Sequence, residues 1–160
     1  MTLDDLELVL SWRNHPDVRR YMYTQHEIRL EEHKVWFETA GRNPGKHLLI
    51  FELDNVPCGF VQLSQLKNSP IAEWGFYAAP SSPKGTGRVL GRATLRYAFE
   101  DLGLHKVCGE ALAYNEPSIQ FHGSLGFQSE GRLRDQHYDG QNYHDVLCFG
   151  LLVSEWEQTR

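Results

Sequence analysis

The sequence predicts a mixed α/β domain with helices on both sides of a central sheet. Three observations carry this. Two stretches with apolar residues at helical spacing open the chain. Extended runs separated by short turns follow, in the manner of an antiparallel meander. The remainder then reads strand, helix, strand, helix, strand, strand.

Each element has its own signal. Thr2-Leu3-Asp4-Asp5 resembles a capping box, and Leu3, Leu6, Val9 and Leu10 recur at helical spacing. A helix is therefore expected to about Arg13, broken by Asn14-His15-Pro16. A second amphipathic stretch covers Ile28 to Thr39, with Ile28, Val35, Trp36 and Phe37 as its apolar candidates. Strands are expected at His47–Leu53, Pro57–Leu66 and Ile71–Ala78, the first two joined by an Asp54-Asn55 turn. The loop Ser81–Gly87 leads into a helix over Arg88–Leu102, followed by a strand over Lys106–Leu112. Pro117 sits early in a helix to Leu125, where a missing N–H costs least. Gln128–Gln136 and Tyr143–Leu152 pair as a hairpin about Asp139-Gly140.

Composition bounds the function. The 160 residues fit one domain over 1–160, and 41% hydrophobic with 23% charged residues is ordinary globular usage. No run of 18 apolar residues exists, and the N-terminus lacks the marks of a signal peptide, so a cytoplasmic protein without a membrane partner is expected. Cys58, Cys108 and Cys148 are scattered in strand-like surroundings, which argues for small core residues and against a disulfide framework. The eight histidines contain no HxxxH or HExxH pair, so no metal site is expected. A net charge of −5 argues against nucleic acid, and leaves any anionic ligand to be captured by a local arrangement.

The sharpest local signal is Lys84-Gly85-Thr86-Gly87-Arg88, between a strand and a helix. Glycines there let successive N–H groups point at one anion, and the helix N-terminus adds about half a positive charge. Lys84, Arg88, Arg92 and Arg96 recur every four residues. Cations in a first turn oppose the helix dipole unless an anion offsets them. Taken alone, the loop reads equally well as an ordinary turn before a solvated helix face. It is neither a P-loop, since GxxxxGK[ST] is absent, nor a dinucleotide fingerprint, since Gly85, Gly87 and Gly91 are one residue off register.

About thirty residues on stands Asn115-Glu116-Pro117-Ser118-Ile119-Gln120-Phe121-His122-Gly123-Ser124-Leu125-Gly126-Phe127. An Asn after a strand, a short helix and a closing Leu-Gly-Phe resembles the second acetyl-CoA motif of the GNAT superfamily of N-acetyltransferases. That family's first motif is a [RQ]-x-x-G-x-[GA] loop. Here it reads Ser82-Pro83-Lys84-Gly85-Thr86-Gly87, with matching glycines and a Ser in place of the leading Arg or Gln. The resemblance spans essentially the whole chain. It implies a GNAT acyl-CoA N-acyltransferase fold, with a central, mostly antiparallel sheet, a splayed strand pair and helices on both faces. Family members usually place a strand before the first helix. This chain begins almost at that helix, so the strand is missing or the true start lies upstream.

A narrower set of blocks occurs in order: Trp12-Arg13-Asn14, Met22-Tyr23, Leu30-Glu31-Glu32-His33, Ala72-Glu73-Trp74-Gly75-Phe76-Tyr77, Gly131-Arg132-Leu133-Arg134-Asp135 and Tyr143-His144-Asp145-Val146. Together they resemble the flagellin-glycosylation branch of the superfamily. Those enzymes transfer acetyl from acetyl-CoA to the 4-amino group of a UDP-4-amino-4,6-dideoxy-N-acetylaltrosamine, on the route to pseudaminic acid. The expected partner is thus a nucleotide-sugar amine. A homodimer is the candidate assembly.

The resemblance also implies roles. Backbone groups of Phe76, Tyr77 and Ala78 would bond the pantetheine arm. Lys84, Gly85, Thr86, Gly87 and Arg88 would hold the diphosphate, and Asn115 the pantetheine or a water. His122 stands where the family usually has a tyrosine acid, and would protonate the leaving sulfur. Glu73 is the candidate base. Arg13 would pair with the UDP diphosphate, Met22, Tyr23 and Trp36 would enclose the uracil, and His33 and Tyr77 would bond sugar hydroxyls. For each there is a plainer alternative in core packing, a turn or a solvated face. Two other readings stand beside the main one: a protein N-terminal acetyltransferase of the ribosomal-protein type, whose Asn-x-x-Ser-Ile helix looks similar, and a catalytically silent CoA-binding sensor.

Overall fold

The structure is a computed structural model that describes residues 1–158. Its order is α1 (Leu6–Asn14), α2 (Pro16–Arg19), α3 (Leu30–Gly41), β1 (Lys46–Leu53), β2 (Val56–Gln65), β3 (Ile71–Ala78), α4 (Thr86–Arg96), β4 (Lys106–Leu112), α5 (Glu116–Ser124), β5 (Gln128–Tyr138), β6 (Tyr143–Leu152) and α6 (Val153–Gln158). The six strands form one sheet in the order β1-β2-β3-β4-β6-β5. Every pairing is antiparallel except β3 with β4.

The chain enters through a 3-10 turn, Leu3–Asp5. The Asp5 carboxylate accepts from the Thr2 backbone N–H at 2.6 Å and from its hydroxyl at 3.1 Å, and the expected capping box is present. Among the described residues no strand precedes α1, and the Met1 ammonium donates to the Leu48 carbonyl of β1 at 3.0 Å. Val9 and Trp12 of α1 pack with Phe60, Ala79 and Tyr77 on one face of the sheet. Leu3, expected on that apolar face, is exposed. In α3 the expected apolar face is displaced: Ile28 precedes the helix and Val35 is exposed, while His33 and Ala40 are buried.

The opposite face carries the larger core. Leu63, Trp74, Val107, Phe149 and Leu151 meet Leu95, Phe99, Leu125 and Trp156 from α4 to α6. The periodicity of 3.6 in Leu90, Thr94 and Leu95 explains why α4 lies on the sheet. Its expected end at Leu102 is reached through a π turn over Tyr97–Asp101, where the Leu102 N–H bonds the Tyr97 carbonyl at 3.0 Å. Only Cys58 is buried. Cys108 and Cys148, expected in the core, are half-buried and face the cleft described below. Among the described residues no helix is long and apolar enough to cross a membrane.

Candidate active site

β3 and β4 pair only at Ile71↔Lys106, Ala72↔Val107 and Glu73↔Cys108. Beyond that point they part. Trp74–Ala78 stays with β2, and Gly109–Leu112 stays with β6. The facing edges of this fork carry backbone N–H and C=O groups that no strand among the described residues meets. Such groups need partners, and an extended ligand arm can supply them as an added strand would.

β3 runs out into the glycine loop. Gly85 caps α4 with φ +90°, a backbone conformation that glycine adopts without strain. The Thr86 N–H and hydroxyl both turn back to the Pro83 carbonyl, at 3.2 and 2.8 Å, and the Arg88 N–H reaches the Gly85 carbonyl at 3.1 Å. The Gly87 N–H meets no backbone carbonyl among the described residues. Lys84 and Arg88 are exposed at the same terminus, and the first turn holds no acidic residue. These residues fit a diphosphate. Ser82, in place of the family's cation or amide, donates its hydroxyl to the Cys58 carbonyl at 2.7 Å and ties the loop to β2.

Between the sheet and α1–α3 the fork opens into a cleft of about 690 Å³. Arg13, Met22, Tyr23, His33, Trp36 and Tyr77 all line it. So do Glu73, Phe76 and Asn115. Asn115 is also the N-cap of α5, its side-chain oxygen accepting from the Ser118 N–H at 3.2 Å.

The sequence matches the acetyltransferase (GNAT) domain model over residues 1–128. That extent of match, on a forked sheet with a glycine-capped helix below it, decides the family. The chain belongs to the GNAT acetyltransferases. It is 30% identical over 127 residues to the SPbeta prophage-derived uncharacterized N-acetyltransferase YokL of Bacillus subtilis, covering 78% of this chain and 71% of that one. It is 27% identical over 134 residues to acetyltransferase PseH of Campylobacter jejuni, covering 84% and 83%. Among solved structures, a spermidine N-acetyltransferase of Vibrio cholerae in complex with CoA and spermine superposes with TM-score 0.89 at 21% identity, over 98% of this chain and 95% of that one. The protein is an acetyl-CoA-dependent N-acetyltransferase.

Within this acetyltransferase the cleft holds two charge neighbourhoods. In the first, Arg13 is buried on α1. Its Nη2 donates to the Thr24 carbonyl at 2.8 Å, while Nη1 is buried with no partner among the described residues. His33 is also buried, stacks on Trp36 with ring centroids 4.8 Å apart, and its Nε2 has no partner among the described residues. Burial, and then the nearby Arg13 cation, lower the His33 pKa from the ordinary imidazole value. Burial pushes the Tyr77 phenol up, so Tyr77 stays a neutral hydrogen-bonding group.

The second neighbourhood is acidic. Glu73 of β3, Glu110 of β4 and Glu130 of β5 all line the cleft. Tyr23 donates its hydroxyl to Glu110 at 2.7 Å across 87 residues of chain. Burial and then that bond raise the Tyr23 pKa above the usual phenol. Sequence reasoning missed Glu110. Its signal was the period-2 alternation of β4, which puts Cys108 and Glu110 on one face beside Glu73.

His122 is placed differently from the cleft residues. It is fully buried and does not line the cleft. Trp74 Nε1 donates to His122 Nε2 at 3.1 Å. An indole N–H only donates, so Nε2 must accept and the ring proton sits on Nδ1. Nδ1 in turn donates to the Ser118 carbonyl at 2.7 Å. The ring stacks on Phe149, centroids 4.6 Å apart at 11°. A proton donor to the leaving sulfur would need an N–H directed into the cleft. Here both nitrogens are engaged, and burial lowers the pKa, which favours the neutral ring.

Proposed function

We propose that this enzyme acetylates the 4-amino group of a UDP-4-amino-4,6-dideoxy sugar. The observation that carries the reading is the buried, unpartnered Nη1 of Arg13 beside the aromatic wall of Trp36, Phe60 and Tyr77. A buried donor without an acceptor is costly, and more so on a charged group. A phosphate oxygen relieves that cost, and the planar guanidinium suits it. The rings beside it suit a flat base. The acidic neighbourhood of Glu73 and Glu110 suits the amine. An acceptor that is anionic at one end and cationic at the other matches both. The likeness to PseH supports the same class.

Bound acetyl-CoA supplies the thioester carbon that the amine attacks. This chain's residues do the rest. The open edge of β3 over Trp74–Ala78 offers backbone N–H groups to the carbonyl oxygen as charge develops there. Glu73 takes the amine proton, directly or through one water. The new N–C bond forms as the C–S bond breaks. A thiol pKa of about 8.5 makes the thiolate a competent leaving group without a buried acid. The diphosphate of CoA rests on Lys84–Arg88.

The test is thiol release from acetyl-CoA with three amines in parallel: the UDP-4-amino sugar, a peptide with a free N-terminus, and spermidine. The sugar is expected to be turned over at least tenfold faster than the other two. Faster release with the peptide or the polyamine overturns the acceptor assignment and leaves acetyl transfer intact.

A further inference from the structure

His122, Trp74 and Gly109 meet where β3 and β4 separate. The last paired residues are Glu73 and Cys108, and Trp74 and Gly109 are the next on each strand. A Cβ built on Gly109 would lie 2.4 Å from His122 Nε2 and 2.5 Å from Trp74 Nε1. The glycine is therefore required for the imidazole and indole to meet under β4. From there the contacts branch. Trp74 belongs to β3, Ser118 and His122 to α5, and Phe149 to β6. One ring thus joins both arms of the fork and the helix between them. Ser118, at the far end of the chain of hydrogen bonds, lines the cleft.

We propose that His122 is a positioning residue: a neutral imidazole, bonded at both nitrogens, that sets the opening of the fork where the pantetheine arm lies, rather than the proton donor to the leaving sulfur. The alternative arrangement is disfavoured by the geometry itself. A protonated ring would carry hydrogens on both nitrogens, and Nε2–H would then oppose the indole N–H across 3.1 Å. Flipping the ring would leave two buried groups, the Trp74 N–H and the Ser118 carbonyl, without partners.

The inference uses the acetyl-CoA half of the site only, so it stands or falls independently of the acceptor. The first experiment is nitrogen-15 NMR of histidine-labelled protein. The His122 ring is expected as the Nδ1–H tautomer, unchanged from pH 8 to 5.5. A His122 ring that titrates near 6.5, or one protonated on Nε2, overturns the proposal. The second is acetyl-CoA affinity by calorimetry in three variants. H122Q keeps one acceptor and one donor without a titrating proton, and should bind within about threefold of wild type. H122F and W74F each break the chain, and should weaken binding roughly tenfold while the fold, followed by circular dichroism, persists. Equal loss in H122Q and H122F sinks the idea. So does an unchanged affinity in H122F and W74F together with loss of turnover in H122Q, the signature of an acid. Should H122F not fold, W74F and H122Q still separate the two roles.

Discussion

At the scale of single residues, the cleft is built from groups whose hydrogen-bonding capacity is left open on one side. Arg13 spends Nη2 on the Thr24 carbonyl and leaves Nη1 buried and free, and His33 leaves Nε2 in the same condition nearby. A hydrogen bond to a charged group contributes about 1.5–3 kcal/mol. On the proposed acceptor reading, R13M is therefore expected to raise the KM for the acceptor by about 10- to 100-fold, since about 1.4 kcal/mol corresponds to a factor of ten. R13K, which keeps the charge and loses the planar fork, is expected to recover part of that loss relative to R13M. The KM for acetyl-CoA should not change in either. Steady-state kinetics with both substrates varied decides it: a rise confined to acetyl-CoA would mean that Arg13 serves the other half of the site. Arg13, Met22, Tyr23, His33, Glu73 and Tyr77 of this cleft were legible in the sequence because they sit in ordered blocks, whereas Glu110 was not. What they touch was not. The Tyr23–Glu110 bond spans 87 residues and the Trp74–His122 bond spans 48, and no local spacing encodes either. Its position in the family motif offered His122 as an acid, whereas in the fold both ring nitrogens are engaged, with Trp74 and Ser118.

Secondary-structure elements were more legible than contacts, because each carried local chemistry. The Asp139-Gly140 turn is the clearest case. Gly140 takes φ +100°, and the Asp139 carboxylate accepts from the Gln141 and Asn142 N–H groups at 2.8 Å each and from His144 Nε2 at 2.6 Å. The Asn142 N–H first, then His144 and Gln141, hold the carboxyl pKa at about 2. An unfolded aspartate titrates near 3.9, at about the ordinary value. The folded pKa is depressed, so this stabilisation is present above about pH 4 and is lost as pH falls toward about 2. D139N should therefore melt below wild type at pH 6, and the gap should close between about pH 4 and 2. A gap that stays constant over that range would detach the charge from hairpin stability. The fork, by contrast, had no local signal. Ile71–Ala78 and Lys106–Leu112 each read as an unbroken strand, and only the three-residue register between them shows where the sheet opens.

At the scale of the whole molecule, the sheet is two antiparallel sets joined across that short parallel contact. On one side stand β1, β2 and β3, and on the other β4, β6 and β5. Buried apolar packing by α4 and α5 bridges the two sets from below, and the His122 chain bridges them at the vertex. Among the described residues, nothing on the sheet pairs the edges above it, Trp74–Ala78 and Gly109–Leu112. A ligand that bonds both edges is therefore part of the folded sheet when bound, and stabilises it by mass action. At 100 times its Kd this amounts to about 2.7 kcal/mol. For a chain of this size that corresponds to a rise in Tm of about 5–10 °C. Hydrogen exchange localises the effect. Amides of Trp74–Ala78 and of the Gly85–Gly87 loop should slow together when acetyl-CoA binds, and by more than those of β1. In G85A, a side chain is forced into φ +90° at the cap of α4, and protection at the loop should be lost first. Protection confined to the loop in wild type would mean that the diphosphate binds without the arm entering the fork. Protection spread evenly over all six strands would mean that the sheet responds as one unit and that the fork is not its weak line.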